Sequence, residues 1–299
     1  MTAYLPTLRQ LQFLVALKDH GHFGKAAEAS FVTQSTLSSG IQELERLLGM
    51  PLVERSRRTV RFTSLGNEIV ERGRRLLIEA EEIAGLATAA GKPLSGELRM
   101  GVIPTIAPFL LPRVLPKLRA AYPELKLYLR EETSQHSCDA LHRGTLDCAL
   151  LALPFGCGDV ETERLFDDQL MLALPSAKAK GLPKRVPRDL IEGEELLLLE
   201  DGHCLTDHAL AACGRSASRS RASILGTTLH TLVQMVDNGI GVTLVPQMAL
   251  DAGILDGTSL ETRAIEGGSA LREIALIWRR RSPRDKELRL LAKALRDAA

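Results

Sequence analysis

Leu8, Leu11, Leu14 and Val15 recur at helical spacing, which predicts an amphipathic helix over Leu8–Asp19 that His20-Gly21-His22 ends. A shorter helix follows over Gly24–Ala29, where Ala26 and Ala27 let another helix come close. Thr33 is a fitting N-cap for a third helix over Gln34–Leu48. Its apolar positions Leu37, Ile41, Leu44 and Leu48 step by four, three and four, and Gly49 suits the left-handed residue that closes it. Leu52–Arg55 and Thr59–Phe62 read as two short strands around Ser56-Arg57-Arg58. From Leu65 to Ala90 there is no proline, and Ile69, Gly73, Leu76, Ala80, Ile83, Ala87 and Ala90 alternate by four and three, as in a coiled-coil seam. A helix of that length spans about 38 Å, long for packing on one small domain, so the expectation is a dimer. Gly91-Lys92-Pro93-Leu94-Ser95-Gly96 ends it as a hinge.

Beyond the hinge, apolar runs occur at Leu98–Ile103, Leu125–Leu129, Leu146–Leu151, Leu170–Leu174, Leu196–Leu199, Gly241–Val245 and Ile274–Trp278. Helical patterns alternate with them, among them Leu110–Ala121, Ser137–Arg143 and Leu229–Asn238. Continuous apolar strands between helices predict buried, largely parallel sheets. A change of partner near Leu165–Gln169 and a return near Leu271 divide this region into two lobes around a cleft. The expected fold is therefore α/β behind a winged helix-turn-helix. Its segments are residues 1–64, a linker helix and hinge at 65–96, and a regulatory domain at 97–299. Lobe I takes about 97–166 and 270–299, and lobe II about 167–269.

Charge adds little over the whole chain, with 38 basic residues against 37 acidic ones, but it is unevenly placed. Residues 1–63 hold eight Lys/Arg against five acids, and four of the eight lie between Arg55 and Arg61. One focused basic segment on a near-neutral protein suits a DNA reader whose other domain does something else. No apolar run approaches the ~18 residues of a membrane span. Met1–Arg9 lacks the basic end and apolar run of a signal peptide. The chain is expected in the cytoplasm, where thiols rest reduced, so its five cysteines call for a reason other than a disulfide framework.

The third helix leaves a polar face of Gln34, Ser35, Thr36, Ser38 and Ser39, with Gln42 one turn on. Short neutral donors and acceptors after a tight turn suit base edges and phosphates in a major groove. Arg55, Arg57 and Arg58 would lie on flanking phosphates or in the minor groove. The alternative is a plain three-helix bundle with a solvated face, which leaves the basic hairpin without a purpose.

Leu8–Gly66 resembles the DNA-binding domain of LysR-type regulators. The likeness rests on Phe23-Gly24-Lys25-Ala26-Ala27-Glu28, Val32-Thr33-Gln34-Ser35-Thr36-Leu37-Ser38, Ile41-Gln42-Glu43-Leu44-Glu45 and Thr63-Ser64-Leu65-Gly66. That family commonly has Ser-Gln-Pro where this chain has Thr33-Gln34-Ser35, which keeps the hydroxyls and amide but drops a helix-start constraint. The resemblance implies a periplasmic-binding-protein-like regulatory domain whose last strand and helix, Lys286–Ala298, return to the first lobe. It also implies double-stranded promoter DNA, RNA polymerase and further copies of the chain as partners, the oligomer being a dimer or tetramer, with no cofactor.

In Leu196–Cys213 a buried strand runs into Asp201-Gly202 and a helix starts near His203–Cys204. A helix N-terminus beside a histidine is expected to lower the pKa of Cys204. Cys213 lies nine residues on, so in a helix the two side chains would point to opposite faces, ~13.5 Å apart along the axis. A disulfide needs Cα atoms within about 7 Å, so the pair closes only if the segment unwinds.

Gly202-His203-Cys204-Leu205-Thr206-Asp207 with a second cysteine at this spacing resembles the OxyR-type peroxide sensors of the LysR family, as do Ile103-Pro104-Thr105 and Pro108-Phe109-Leu110-Leu111-Pro112. The resemblance implies hydrogen peroxide as the signal, Cys204 as the peroxidatic thiol and Cys213 as the resolving one. It sets Thr105, Ser134, His203 and Asp207 around the peroxide, Ser134 standing where those sensors usually have threonine. Two buried structural cysteines are the plainer reading. Cys148 is expected in the core, with Cys138 and Cys157 as bystanders. His136, Cys138 and His142 have no strong zinc spacing, and no metal is expected. Competing functions are a LysR-type regulator answering to a small metabolite in the cleft, and a peroxide-consuming thiol enzyme that would leave the winged helix unexplained.

Overall fold

The computed structural model describes residues 5–55, 60–89, 93–214, 225–266 and 270–299. The chain divides into two compact units, Met1–Thr88 and Ala89–Ala299.

The first unit begins with α1 (Leu8–His20), started by a reciprocal cap between Thr7 and Gln10 and ended by Gly21 in the left-handed region. Then come α2 (Phe23–Ala29), capped by the His22 ring, and α3 (Gln34–Leu48), capped by Thr33 and closed by left-handed Gly49. Strands β1 (Val53–Arg55) and β2 (Val60–Phe62) pair antiparallel, and α4 (Ser64–Ala89) follows. Leu14, Leu17, Leu37, Ile41, Leu44, Leu52 and Val70 form one buried core. Gly66 lies hard against the Leu52 carbonyl, leaving no space for a Cβ where α4 meets the sheet. Arg57 and Arg58 lie outside the described residues, as do Ala90, Gly91 and Lys92.

The seam expected along α4 divides in two. Ile69 packs on the core of this unit, and a Cβ at Gly73 would touch Leu11 and Val15. Leu76 and Ile83, by contrast, are 54% and 70% exposed. Ile69 and Gly73 of α4 thus pack on the winged helix, while Leu76 and Ile83 remain open.

In the second unit β3 (Gly96–Val102), α5 (Ala107–Ala121), β4 (Leu125–Glu131), α6 (Ser134–His142) and β5 (Cys148–Leu153) form a right-order α/β core with β3 parallel to both neighbours. β6 (Val160–Pro175) follows, longer than its apolar half predicts. After α7 (Ser176–Ala179), β7 (Arg185–Val186) and α8 (Asp189–Glu192) come β8 (Leu198–Leu199) and α9 (Cys204–Ala212). The chain continues through β9 (Leu225–Gly226), α10 (Leu229–Asp237), β10 (Thr243–Pro246), α11 (Gln247–Asp251) and β11 (Leu260–Ile265). It ends with β12 (Leu271–Arg279) and α12 (Asp285–Ala298).

The sheet order is β4-β3-β5-β12-β6-β11-β7, with β10 also on β6. The expectation of largely parallel sheets does not hold. β12 runs antiparallel to β5 and β6, and β10 and β11 run antiparallel to β6. The reason is topological. β6 pairs with β12 up to Gln169 and with β10 and β11 from Leu170, so one long strand serves both lobes, and β12 returns beside it.

Candidate functional site

In the second unit a buried polar cluster forms where the chain leaves the C-terminal ends of β3, β4, β5 and β8. β3 leads to Thr105, β4 to Ser134 at the start of α6, β5 to Ala152 and Pro154, and β8 to Cys204 at the start of α9. Loops at the ends of parallel strands are where α/β folds gather function.

Cys204 is 1% exposed. Its backbone N–H donates to Ser134 Oγ at 3.4 Å, and Ser134 is itself buried. Gly202, just before it, takes a left-handed φ of 93° and accepts the Gln135 N–H, which presses the Cys204 loop onto the first turn of α6. The expectation of a lowered thiol pKa is corrected here. Burial pushes the Cys204 thiol up, while the Ser134 hydroxyl, the Arg272 guanidinium and a backbone hydrogen bond at Ala152 draw it down, and Asp207 adds to the rise. Burial lowers the His203 pKa as well, with Glu200 pulling the other way, which disfavours its cationic form. Burial is the largest of these effects on Cys204.

The cluster has members that the sequence reading missed. Arg272 is fully buried and donates from Nη1 to Thr105 Oγ1 at 2.9 Å and from Nη2 to the Thr105 carbonyl at 3.1 Å. It pairs with buried Asp168, Nε to Oδ2 at 3.0 Å, and Asp168 Oδ1 accepts the Met248 N–H at 3.0 Å. Arg272 and Asp168 are register partners on β12 and β6, one residue short of the switch between lobes. A buried ion pair with this many hydrogen bonds holds its charge in place.

His208 is the second omission. One turn after Cys204 on the same face of α9, it donates from Nε2 to the Pro154 carbonyl at 3.0 Å. Its Nδ1 is buried with no hydrogen-bond partner among the described residues. Burial lowers its pKa, and Arg272 adds to that. Asp207 is exposed, and Thr206 Oγ1 donates to the Leu199 carbonyl at 2.9 Å. Cys213, at the C-terminal end of α9, is a buried thiol.

Cys138 and Cys157 are paired with each other. They are joined in a disulfide with Cα atoms 5.3 Å apart, both buried. The sequence reading looks for a reason other than a structural disulfide framework and sets these two cysteines aside; the fold joins them because α6 and the loop after β5 lie side by side, which a separation of 19 positions conceals. His142 donates to the Cys157 carbonyl at 2.7 Å and the His136 ring pairs with Thr133 Oγ1 at 2.9 Å, so the three groups of the His136–Cys138–His142 spacing are each engaged elsewhere. Cys148 is a fully buried thiol on β5, and burial pushes it well above its ordinary value.

On the first unit, Gln34, Ser35, Thr36 and Ser39 are exposed on α3, Ser38 is half-buried, and Gln42 is exposed one turn on. Thr33 Oγ1 accepts the Thr36 N–H at 3.2 Å and lies 2.8 Å from the hydroxyls of Ser35 and Thr36. The hydroxyls of the first turn are thus held as a group. Arg55 ends β1, and its side chain lies outside the described residues. Among the described residues no helix is long and apolar enough to cross a membrane.

Residues 8–67 match the lysR family of bacterial regulatory helix-turn-helix proteins, and residues 91–299 match the LysR substrate binding domain. The chain is 40% identical over 295 residues to the HTH-type transcriptional regulator EstR of Acinetobacter baylyi, covering 98% of this chain and 97% of that one. It is 36% identical over 289 residues to the DNA-binding transcriptional dual regulator OxyR of Escherichia coli, covering 97% and 94%. Among solved structures, a full-length OxyR variant from Pseudomonas aeruginosa superposes with a TM-score of 0.79 at 32% identity, covering 99% and 96%. A hydrogen-peroxide-bound OxyR variant from Corynebacterium glutamicum gives 0.65 at 31% identity, covering 99% and 94%.

Proposed function

The chain belongs to the LysR family of bacterial transcription regulators, and we propose that it is a peroxide-responsive member whose switch is Cys204 with Cys213. The observation that carries this reading is a buried thiol at a helix start that meets a hydroxyl on Ser134 and the charge of buried Arg272. Small size and hydrogen-bonding ends suit hydrogen peroxide to a site closed to larger oxidants. The naming of several relatives as hydrogen peroxide-inducible genes activators supports the same signal.

Thr105 and Ser134 hold the peroxide by their hydroxyls, and His203 and Asp207 flank it. The Cys204 sulfur attacks one peroxide oxygen, the O–O bond breaks, and the other oxygen leaves as water with the thiol proton. Arg272 stabilises the anionic sulfur and the departing oxygen. Cys213 then displaces the sulfenic hydroxyl as a second water, forming the disulfide. The two sulfurs start at opposite ends of α9, so closure unwinds the segment 205–212 and repacks the lobe around it.

The DNA side of the function uses Gln34, Ser35, Thr36 and Ser38 at base edges, with Thr33, Ser39, Gln42, Arg55, Arg57 and Arg58 alongside. The protein works on promoter DNA with RNA polymerase in the cytoplasm. Copies of the chain associate through the open positions Leu76 and Ile83 of α4. Peptide mapping of thiol states after graded peroxide, with promoter occupancy read on the same samples, tests the whole reading.

A further inference from the structure

Ser134, Cys138 and His142 are spaced by four, so they form one stripe along α6. Each reaches a different part of the sensor site. Ser134 accepts the Cys204 N–H, Cys138 is bonded to Cys157, and His142 donates to the Cys157 carbonyl. Cys157 in turn lies three residues past Pro154, whose carbonyl holds His208 on α9. The Cys138–Cys157 bond therefore closes a ring. It ties α6, which holds the first residue of α9, to the segment that holds the next turn of α9.

We infer that Cys138 and Cys157 are a second redox pair, chemically separate from Cys204 and Cys213, whose closure sets how accessible Cys204 is. Both residues are buried in the closed pair, Cys157 at 6% exposed and Cys138 at 2%, so only a small oxidant suits the site. With hydrogen peroxide, Cys157 becomes a sulfenic acid and one water leaves. Cys138 then displaces the hydroxyl as a second water, and the pair has given up two electrons and two protons. A dithiol reverses this by two thiol–disulfide exchanges and is itself oxidised. With the pair closed, Ser134 and Pro154 are held together across α9. With it open, the covalent tie is gone and the hydrogen bond from His142 and the packing of α6 on β5 remain, so the Cys204 turn is freer to open. The consequence for sensing rests on the reading of Cys204 as the sensing thiol, whereas the pair and its effect on access to Cys204 do not.

The test uses full-length Cys213→Ser protein, in which Cys204 has no partner to lock it. Peroxide kept below the dose at which mapping finds Cys204 sulfinic acid, followed by arsenite, which reduces a sulfenic acid but spares a disulfide, leaves Cys204 a thiol with the pair closed. Dithiothreitol, removed without air, leaves the pair open. Peptide mapping should recover Cys138 linked to Cys157 in the first sample and both alkylated in the second. Iodoacetamide should then alkylate Cys204 more slowly in the closed sample, by about threefold or more, within the range of coupling between linked sites. Cys138→Ala, Cys157→Ala and the double variant should all give the open-state rate, the pattern of one bond lost in each. Two alkylated thiols after peroxide would overturn the pair, and an equal or faster Cys204 rate in the closed sample would overturn its effect. Iodoacetamide needs no peroxide chemistry, so failure of Cys204 to respond to peroxide would sink the proposed function without touching this result.

Discussion

Arg272 donates to the Thr105 hydroxyl across 2.9 Å although 167 residues separate them. The contact brings the first loop of lobe I to the strand that returns from lobe II. It also fixes the hydroxyl on which peroxide would be held, and it places a permanent charge near Cys204. Thr105→Val keeps the shape and removes the oxygen. It should slow Cys204 oxidation by on the order of tenfold, the value of one hydrogen bond. It should also destabilise the fold by about 1–3 kcal/mol, because a buried guanidinium N–H is left unmet. Thr105→Ser should keep both properties. Stopped-flow oxidation with thermal unfolding checks this, and equal rates for Val and Ser would refute the role of the hydroxyl.

The raised Cys204 pKa has a kinetic consequence. Since the thiolate is the nucleophile, alkylation of Cys204 should still be accelerating at pH 9.0, the ordinary value for the thiol. Removing the compensating hydroxyl in Ser134→Ala should move the midpoint higher still. A rate already level at neutral pH would show that the site lowers the pKa after all.

His208 gives a stability signature of definite sign. Its pKa is lowered in the fold by burial, so the folded protein holds the ring neutral while the unfolded chain protonates near 6.5. The ring's contribution is complete above that value and is lost as pH falls toward the folded pKa. His203, lowered by the same cause, adds in the same direction. His208→Gln keeps a donor for the Pro154 carbonyl, and it should flatten the fall in stability between roughly pH 7 and pH 5. An unchanged slope in urea unfolding would exclude His208 as a contributor.

Much of this was legible in the sequence, and the omissions have a common cause. The ends of α3 are legible because a cap, a four–three–four apolar stripe and a closing glycine all agree there. The start of α9 at Cys204 was legible for the same kind of reason, from Asp201-Gly202 ahead of it. Arg272 was hidden because one charge at the start of an apolar strand looks like an exposed end. Only its register partner Asp168 on β6 reveals a buried pair. His208 carried a signal that went unused, since the i, i+4 spacing from Cys204 puts both on one helical face. Cys138 and Cys157 belong to an α6 helix and a loop that meet only through the fold, and no local pattern announces that contact. The first half of β6, Val160–Gln169, escaped because its burial alternates with charge, unlike the continuous runs elsewhere.

On α3, Gln34→Ala should weaken specific DNA binding by about 1–3 kcal/mol while leaving stability unchanged, because the side chain is exposed. Alanine at Ser35, Thr36 and Ser38 should also alter the footprint. Four unchanged footprints would remove this face from the interface.

Ile83, 70% exposed on α4, is where self-association is most readily broken. Ile83→Glu should dissociate the linker pair, since association would bury an unpaired charge. Light scattering of the unaltered protein as a monomer at micromolar concentration would contradict the seam.

In the proposed mechanism Cys204 is the thiol through which peroxide changes DNA binding. The direct measurement is peptide mapping of the full-length protein across a peroxide titration, with promoter occupancy followed in the same samples. Cys204 linked to Cys213 should appear in step with the change in occupancy, Cys204→Ser should abolish both, and Cys213→Ser should leave Cys204 as a sulfenic or higher acid. Occupancy that still responds while Cys204 remains a thiol would contradict the mechanism.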